Sequence, residues 1–493
     1  MMKYIKILTL FILTIVSVNC SDDFLDKSPL DTINTKNYPA NENELITLVN
    51  GAYQPLQRPK LYNFRLWTFD IMAGNSIVGA GGGSDGIETQ DMSNFVTATD
   101  NAGVLDLWRG PWPGILMANK VIDVAPQLDI DEDIKNRSLG EAYFLRAHYY
   151  FILVRFFGDI PLITEPGSSD TDLMPERVSK DLIYSQIISD LEIAASLLPL
   201  KSSYSSSDIG RANKGAALGI LAKVNLTIGD YSRVVELTSQ VETLGYALNS
   251  DYSANFNPDS ENSNESIFEI QFASDGGFGF WSDENQASWA STFMGPRGSS
   301  MVSGGWGWNQ PTQEFIDDYE QNDKRKDVSV FYEDSPNFYG IDYSKSYSLT
   351  GYNVRKFLVP IEVSSSYDNS PLNFPVLRFS DVLLMKSEAL NELGSTFEAE
   401  IPLNKVRNRA GLGNISTNLD QASFREAILK ERRIELAFEG QRWYDLIRVN
   451  EGLYGLNFLH SIGKTNATQK HLLFPIPLVE IDRNPNLTQN PGY

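Results

Sequence analysis

Apolar residues in this chain recur at helical spacing in paired blocks, with a short Gly-containing turn between the members of a pair. From Arg211 to Leu244, one helix is lined by Leu218, Leu221, Ala222 and Leu226, and the next by Tyr231, Val234, Val235, Thr238 and Val241. Gly229 and Asp230 supply the turn. Paired helices of this kind bury their stripes on each other and on neighbouring pairs, which predicts a mostly α body built from hairpins. A longer helix is expected from about Asp133 to Phe157, with Leu139, Tyr143, Ala147, Tyr150 and Val154 on one stripe and Gly158 and Pro161 as its stop.

The Arg211 to Leu244 unit has a small residue in its first helix and Gly-Asp-Tyr opening the second, and it is similar to a tetratricopeptide repeat. A second candidate runs from Ser380 through Leu384, Met385, Glu388, Ala389 and Leu393, turns at Gly394 and continues to Arg409. Two more are expected, at Glu42 to Tyr53 with Leu107 to Val124, and at Arg425 to Arg448. The four units form one body, with an N-terminal helical part over 41–245 and a C-terminal helical part and closing tail over 376–493. Between them, 246–375 is rich in Gly, Ser, Asn, Asp and aromatic residues and has little helical period. It holds four of the eight tryptophans, Trp281, Trp289, Trp306 and Trp308. Long irregular insertions on a rigid scaffold are where binding groups collect, so this segment is read as the ligand-binding insertion. A smaller loop of the same kind runs from Ala73 to Ala98.

The N-terminus gives an address. Lys3 and Lys6 precede an apolar run from Ile7 to Val18, shorter than the roughly 20 residues a membrane-spanning helix needs. Cys20, the single cysteine, follows at once, and Ser21, Asp22, Asp23 and Asp26 come after it. This is the pattern of a lipoprotein signal over 1–19 with Cys20 as the lipid attachment site and 20–40 as a tether. Ser17, Val18 and Asn19 make a poor cleavage box, since leucine and a small residue are usual there. One cysteine allows no intrachain disulfide, so the fold must be held by its core.

The formal charge is −22, and removing Lys3 and Lys6 takes it to −24, which disfavours a nucleic-acid partner or an anionic membrane bound through a basic face. Membrane contact is therefore expected through the N-terminal lipid only. Aromatic residues make up 11% of the chain. A pyranose ring offers an apolar face and a fringe of hydroxyls, so its sites pair flat aromatic rings with Asn, Asp, Gln and Arg. Trp281 and Trp289, with Asp283 and Asn285 between them, form one candidate platform. Trp67 with Asp70 and Asn75 is a second, and Trp306 a third. For any single tryptophan, packing of a loop onto the body is the better reading. Trp108, Trp112, Trp308 and Trp443 are read as structural.

Several blocks together carry a family resemblance. They include Asp23-Phe24-Leu25-Asp26 after Cys20, Ala118-Asn119-Lys120-Val121-Ile122, Glu141-Ala142-Tyr143-Phe144-Leu145-Arg146-Ala147, and Leu153-Val154-Arg155-Phe156-Phe157-Gly158-Asp159. In the C-terminal part they include Gly307-Trp308-Asn309-Gln310-Pro311-Thr312, Glu431-Arg432-Arg433-Ile434-Glu435-Leu436, Gly440-Gln441-Arg442-Trp443-Tyr444-Asp445-Leu446 and Asn484-Pro485-Asn486-Leu487. In order and spacing the chain resembles the SusD/RagB family of outer-membrane nutrient-binding lipoproteins. The resemblance implies a helical body of four tetratricopeptide-like units with an irregular half carrying the ligand site. It also implies a surface address at the outer membrane, a TonB-dependent, SusC-like transporter as partner, and an oligo- or polysaccharide as the usual cargo.

No enzyme motif is expected to act. Gly81 to Gly86 fits both a dinucleotide and a hydrolase pattern, but both need a strand-to-helix context where loop is expected. His148, His460 and His471 are not at metal-ligand spacing, so no metal or cofactor is expected, and a structural calcium ion has no assignable position. Glu431, Arg432, Arg433, Glu435, Glu439 and Arg442 are read as solvated or interhelical ion pairs. The alternatives to a glycan-binding, non-enzymatic lipoprotein are a tetratricopeptide-type adaptor or peptide-binding import lipoprotein, and a lipid-anchored glycosidase, which needs only two carboxylates.

Overall fold

The computed structural model describes residues 38–83, 85–167, 173–274, 282–415 and 418–493. Cys20 and Trp281 lie outside the described residues. The main helices are α1 (Glu42–Tyr53), α2 (Ala102–Arg109), α3 (Trp112–Val124), α4 (Glu132–Phe157), α5 (Lys180–Leu197), α6 (Lys214–Ile228) and α7 (Tyr231–Glu242), followed by α8 (Phe379–Glu392), α9 (Thr396–Arg409), α10 (Gln421–Glu435) and α11 (Arg442–Arg448). Their starts are written in the sequence. Asn41, Asn101, Asp131, Ser179, Asn213, Asp230 and Asp420 each accept a hydrogen bond from a backbone N–H of the first turn of the helix that follows. Gly229 ends α6 in the left-handed region at φ 84°, and Asp230 caps α7 at once, so the hairpin turn is two residues long.

Successive helices pack on one another from α3 through α7, and α7 packs on α8 although the chain between them is the long insertion. The helical stack therefore runs continuously past the point where the insertion leaves and returns. The fold is mostly α, and its paired helices are consistent with tetratricopeptide-like hairpins. Trp112 opens a separate helix, because Pro111 and Pro113 break the run expected from Leu107 to Val124. The run from Arg425 to Arg448 is likewise two helices, α10 and α11, parted by a turn at Leu436–Gln441.

α4 departs from a one-stripe helix. Every residue from Phe144 to Phe157 is buried, because α3 and α5 flank the helix, Phe268 of the insertion covers Phe144 and His148, and Phe69, Tyr444 and Phe474 cover Phe156. One large hydrophobic core joins the helical body to the insertion, and a smaller cluster around Leu45, Val49, Ala118 and Val121 seats α1 on α3 and α4.

Within 246–375 the described chain forms short turns and strands. Its two ends meet in an antiparallel ladder of β1 (Ser266–Ile270) with β2 (Phe374–Arg378), both fully buried. At this neck lies a charge network. Arg378 donates to Glu265, Glu435 and Glu439, while Lys356 donates to Glu439 and Arg409 to Glu265 and Glu435. Arg325 joins Asp323 to Glu431 and Glu435. The acidic and basic run of α10 is thus a set of interhelical pairs as expected, but it is buried rather than solvated.

Among the described residues no helix is long and apolar enough to cross a membrane.

Candidate functional site

A two-residue pairing builds the site. Ser76 and Ile77 pair antiparallel with Pro311 and Gln310, which draws the segment before residue 78 against the segment before residue 310. The Trp306 and Trp308 backbone N–H groups donate to the carbonyls of Thr292 and Phe293 at 2.9 and 2.7 Å, so these indoles are hung along the short helix Ala290–Met294. Asn63 clamps the other side, donating to the Ala287 carbonyl at 2.9 Å and accepting from the Trp289 N–H at 2.7 Å.

The result is an aromatic cluster centred on Phe293. Its ring lies 4.6 Å from Phe64, 4.7 Å from Trp306, 5.6 Å from Trp308, 5.9 Å from Trp289 and 6.0 Å from Trp67. Three of the tryptophans proposed from sequence therefore come together, but at different depths. Trp67 and Trp289 are 0% exposed and form the base, so neither can stack on a ligand. Trp306 is half-buried and lines a cleft of about 700 Å³. Phe64 and Trp308 form the wall, with Tyr367, 46% exposed, 6.5 Å from Trp306. Trp308, read as structural, is mostly buried yet contributes an edge to this wall.

Charged groups ring the cleft. Lys60 pairs with Asp283 at 3.5 Å, and both side chains are half-exposed. Arg65 donates to Asp106 at 2.9 Å, to Thr89 at 3.1 Å and to Glu88 at 3.4 Å. Asp85 faces Arg297 at 3.5 Å. The half-exposed Lys60–Asp283 and Asp85–Arg297 pairs are weak, so each can exchange its partner for a ligand hydroxyl at small net cost, whereas Arg65 is buried and held in place by its carboxylates.

Gly86, at φ 63°, holds one lip. A Cβ there would lie 2.1 Å from Trp308 Cη2, so a side chain would displace the indole. The Gly-rich stretch is more ordered than the loop expected: Ala80–Gly83 forms a 3₁₀ turn, and Gly86 opens the helix Ile87–Ser93.

Asp70, Asn75 and Asn285 need correction as ligand contacts, because all three are buried. Asp70 accepts from Asn75 at 2.8 Å, from the Phe438 N–H at 3.1 Å and from the Gly440 N–H at 2.9 Å. Burial pushes its carboxyl up to about 6, against the downward pull of those bonds. Asn75 in turn accepts from Arg433 at 2.8 Å. The pair braces the cleft floor to the C-terminal helices. Asn285 accepts from the Ala287 N–H at 2.8 Å and shapes a turn. Of the described candidates, Asp283 and Trp306 line the cleft.

Sequence reasoning missed Lys60, Phe64, Arg65 and Phe293. For Phe293 a signal existed, since it stands four residues after Trp289 and shares its helical face. The others reach the cleft only through the pairing of remote segments.

The histidines are structural. His148 bonds the Tyr62 hydroxyl at 2.8 Å in the core, and burial drives its pKa down to about 3. His460 meets the Ala467 carbonyl, and His471 bonds Thr468. Among the described residues no His, Cys, Asp and Glu cluster could hold a metal ion.

Fold and cleft define a class: a helical-repeat scaffold with an aromatic, charge-rimmed cleft on its irregular side. Comparison with known proteins places the chain within that class. Residues 264–493 match the model of the SusD family, and residues 23–226 match a model described as starch-binding associating with outer membrane. SusD-like protein P2 of Formosa agariphila is 29% identical, with both chains covered in full. A laminarin-binding SusD-like protein superposes with a TM-score of 0.81 at 28% identity, over 92% of this chain and 100% of that one. Surface glycan-binding protein A of Bacteroides thetaiotaomicron, solved in complex with laminarihexaose, gives 0.77 at 25% identity over 92% and 100%. The chain belongs to the SusD/RagB family.

Proposed function

We propose that the protein captures a nutrient glycan in the Trp306 cleft and passes it on without chemistry of its own. The observation that carries this reading is the joining of a half-buried indole to an exposed, hydrogen-bonding rim in one cleft of about 700 Å³. An apolar ring floor suits the C–H face of a pyranose, and Lys60, Arg65, Asp106 and Asp283 suit its hydroxyl fringe. Two similar structures are described as binding laminarin or laminarihexaose, which makes a laminarin oligosaccharide the first ligand to try.

Cys20 would carry the lipid that holds the chain to the outer membrane at the cell surface, and a TonB-dependent transporter would receive the cargo. The signal pattern at 1–20 and the family membership support both steps. The test is calorimetry of the protein with laminarihexaose and other neutral oligosaccharides, comparing wild type with Trp306→Ala. Saturable binding that falls about tenfold or more in the variant is expected, the loss of one stacked aromatic contact at a hot spot. Binding undiminished by Trp306→Ala would remove the cleft from the reading.

A further inference from the structure

A second cleft, also of about 700 Å³, opens between the end of α4, the start of α5, the α6–α7 turn and α11. Arg155 stands in its wall. The guanidinium carbon lies 3.9 Å from the Phe151 ring centre and 3.6 Å from that of Tyr444, so both of its faces are covered. Its Nε–H donates to the Phe151 carbonyl at 2.9 Å. The four remaining N–H donors lie at the edge of the plane and have no partner among the described residues.

That is an unusual state for a side chain only 8% exposed. Arg146, Arg325, Arg378, Arg432 and Arg448, all similarly buried, each bond a carboxylate, and among the described buried arginines Arg442, over the Tyr454 and Phe458 rings, is the other that does not. At the rim of this cleft Lys180, Asp181 and Glu451 are exposed. Inside it, Arg448 is neutralised by Glu388 and Asp445, which leaves Arg155 as the buried cation of the described lining that bonds no carboxylate, with the exposed Lys180 as a second positive charge at the rim.

We propose that Arg155 is the anchor of a second ligand site, which takes the carboxylate of an acidic sugar. A guanidinium held by stacking on both faces is pre-organised for two parallel N–H···O bonds to a carboxylate, with little entropy left to lose. The class of ligand follows from the remaining wall. Tyr184 and Tyr231 are half-buried and offer flat ring surface, while the Tyr444 ring is taken up by Arg155, and Thr227 and Gln469 offer polar ends for hydroxyls. A hexuronate residue combines those needs, whereas a neutral sugar leaves the guanidinium edge unmet. The site shares no lining residue with the Trp306 cleft.

The test is calorimetric titration of the whole protein with trigalacturonate and with its carboxyl-reduced, neutral counterpart. Saturable binding of the acidic trisaccharide is expected. Carboxyl reduction, Arg155→Lys and Arg155→Met should each weaken it about tenfold or more, the loss of charge-assisted hydrogen bonds. Arg155→Lys keeps the charge and loses the fork, and melting near the wild-type temperature shows that it folds. Tyr231→Ala, at the cleft mouth, gives a second variant and should weaken binding too. Trp306→Ala should leave this binding unchanged, so failure here and failure of the Trp306 reading are distinguishable. Silence with trigalacturonate, equal binding of the reduced sugar, or undiminished binding by Arg155→Lys would each overturn the proposal. Binding of a tripeptide through its free carboxyl terminus, with trigalacturonate silent, would overturn the sugar assignment.

Discussion

Replacing Arg378 by Met tests what fastens the insertion to the helical body. Arg378 is 1% exposed and meets Glu265 at 2.7 Å, Glu435 at 2.9 Å and Glu439 at 2.7 Å. Five cations, Arg325, Lys356, Arg378, Arg407 and Arg409, face six carboxylates, Glu265, Glu320, Asp323, Glu431, Glu435 and Glu439. Removing one cation takes the cluster from a formal −1 to −2. Each pair is worth about 4 kcal/mol at an effective dielectric of 20. Most of the three-pair sum is offset by the desolvation of a guanidinium, and breaking a buried pair from one side leaves a loss of about 3–5 kcal/mol. Each carboxylate keeps at least one other cation, Glu265 with Arg409, Glu435 with Arg325 and Arg409, and Glu439 with Lys356, so the lower part of that range is expected. Urea unfolding reads the total. Hydrogen exchange reads its place, since protection should fall at β1, β2 and the surrounding insertion more than in α4 to α6. A loss below about 1 kcal/mol, the range of exposed pairs, would show that the network contributes no net fastening. A loss of protection spread evenly over the molecule would refute the neck as the place where it acts.

Other substitutions separate the buried base of the aromatic cluster from its cleft face. Trp67→Ala should destabilise the fold by about 3–5 kcal/mol, as for other large buried aromatics, and Trp306→Ala much less, both read by thermal melting. Gly86→Ala combines a left-handed φ with a Cβ 2.1 Å from Trp308, and should lower stability by more than about 1 kcal/mol and weaken glycan binding in calorimetry. Asp70 titrates near 6 in the folded chain and near 3.8 when unfolded, so the folded state holds its proton more tightly. Relative to Asp70→Asn, wild-type stability in urea should therefore rise as pH falls from 6 to about 4, by roughly 3 kcal/mol at most. A flat difference over that window would show that Asp70 does not titrate there.

The helical body was readable because its signals are local. The α6–α7 hairpin needs only its apolar stripe, Gly229 and the Asp230 cap, and all three lie within the segment they organise. The charge run of α10 announced ion pairs, but its burial depended on Arg325, Lys356 and Arg378, which come from the insertion and its neck. The cleft was harder for the same reason. Trp67, Trp289 and Trp306 look alike in sequence, and only the pairing of Ser76–Ile77 with Gln310–Pro311 decides which indole reaches the cleft. Asp70 and Asn75 beside Trp67 had the composition of a sugar edge. Their backbone instead turns inward through Phe69–Met72, and the polar groups are consumed by Phe438, Gly440 and Arg433.

The most direct measurement is calorimetry of the chain beginning at Ser21 with laminarihexaose and a panel of neutral oligosaccharides, for wild type, Trp306→Ala and Arg155→Lys. Saturable heat with one neutral sugar, lost in Trp306→Ala and kept in Arg155→Lys, is the expected result. Silence across the panel, or binding that survives Trp306→Ala intact, would contradict glycan capture in this cleft.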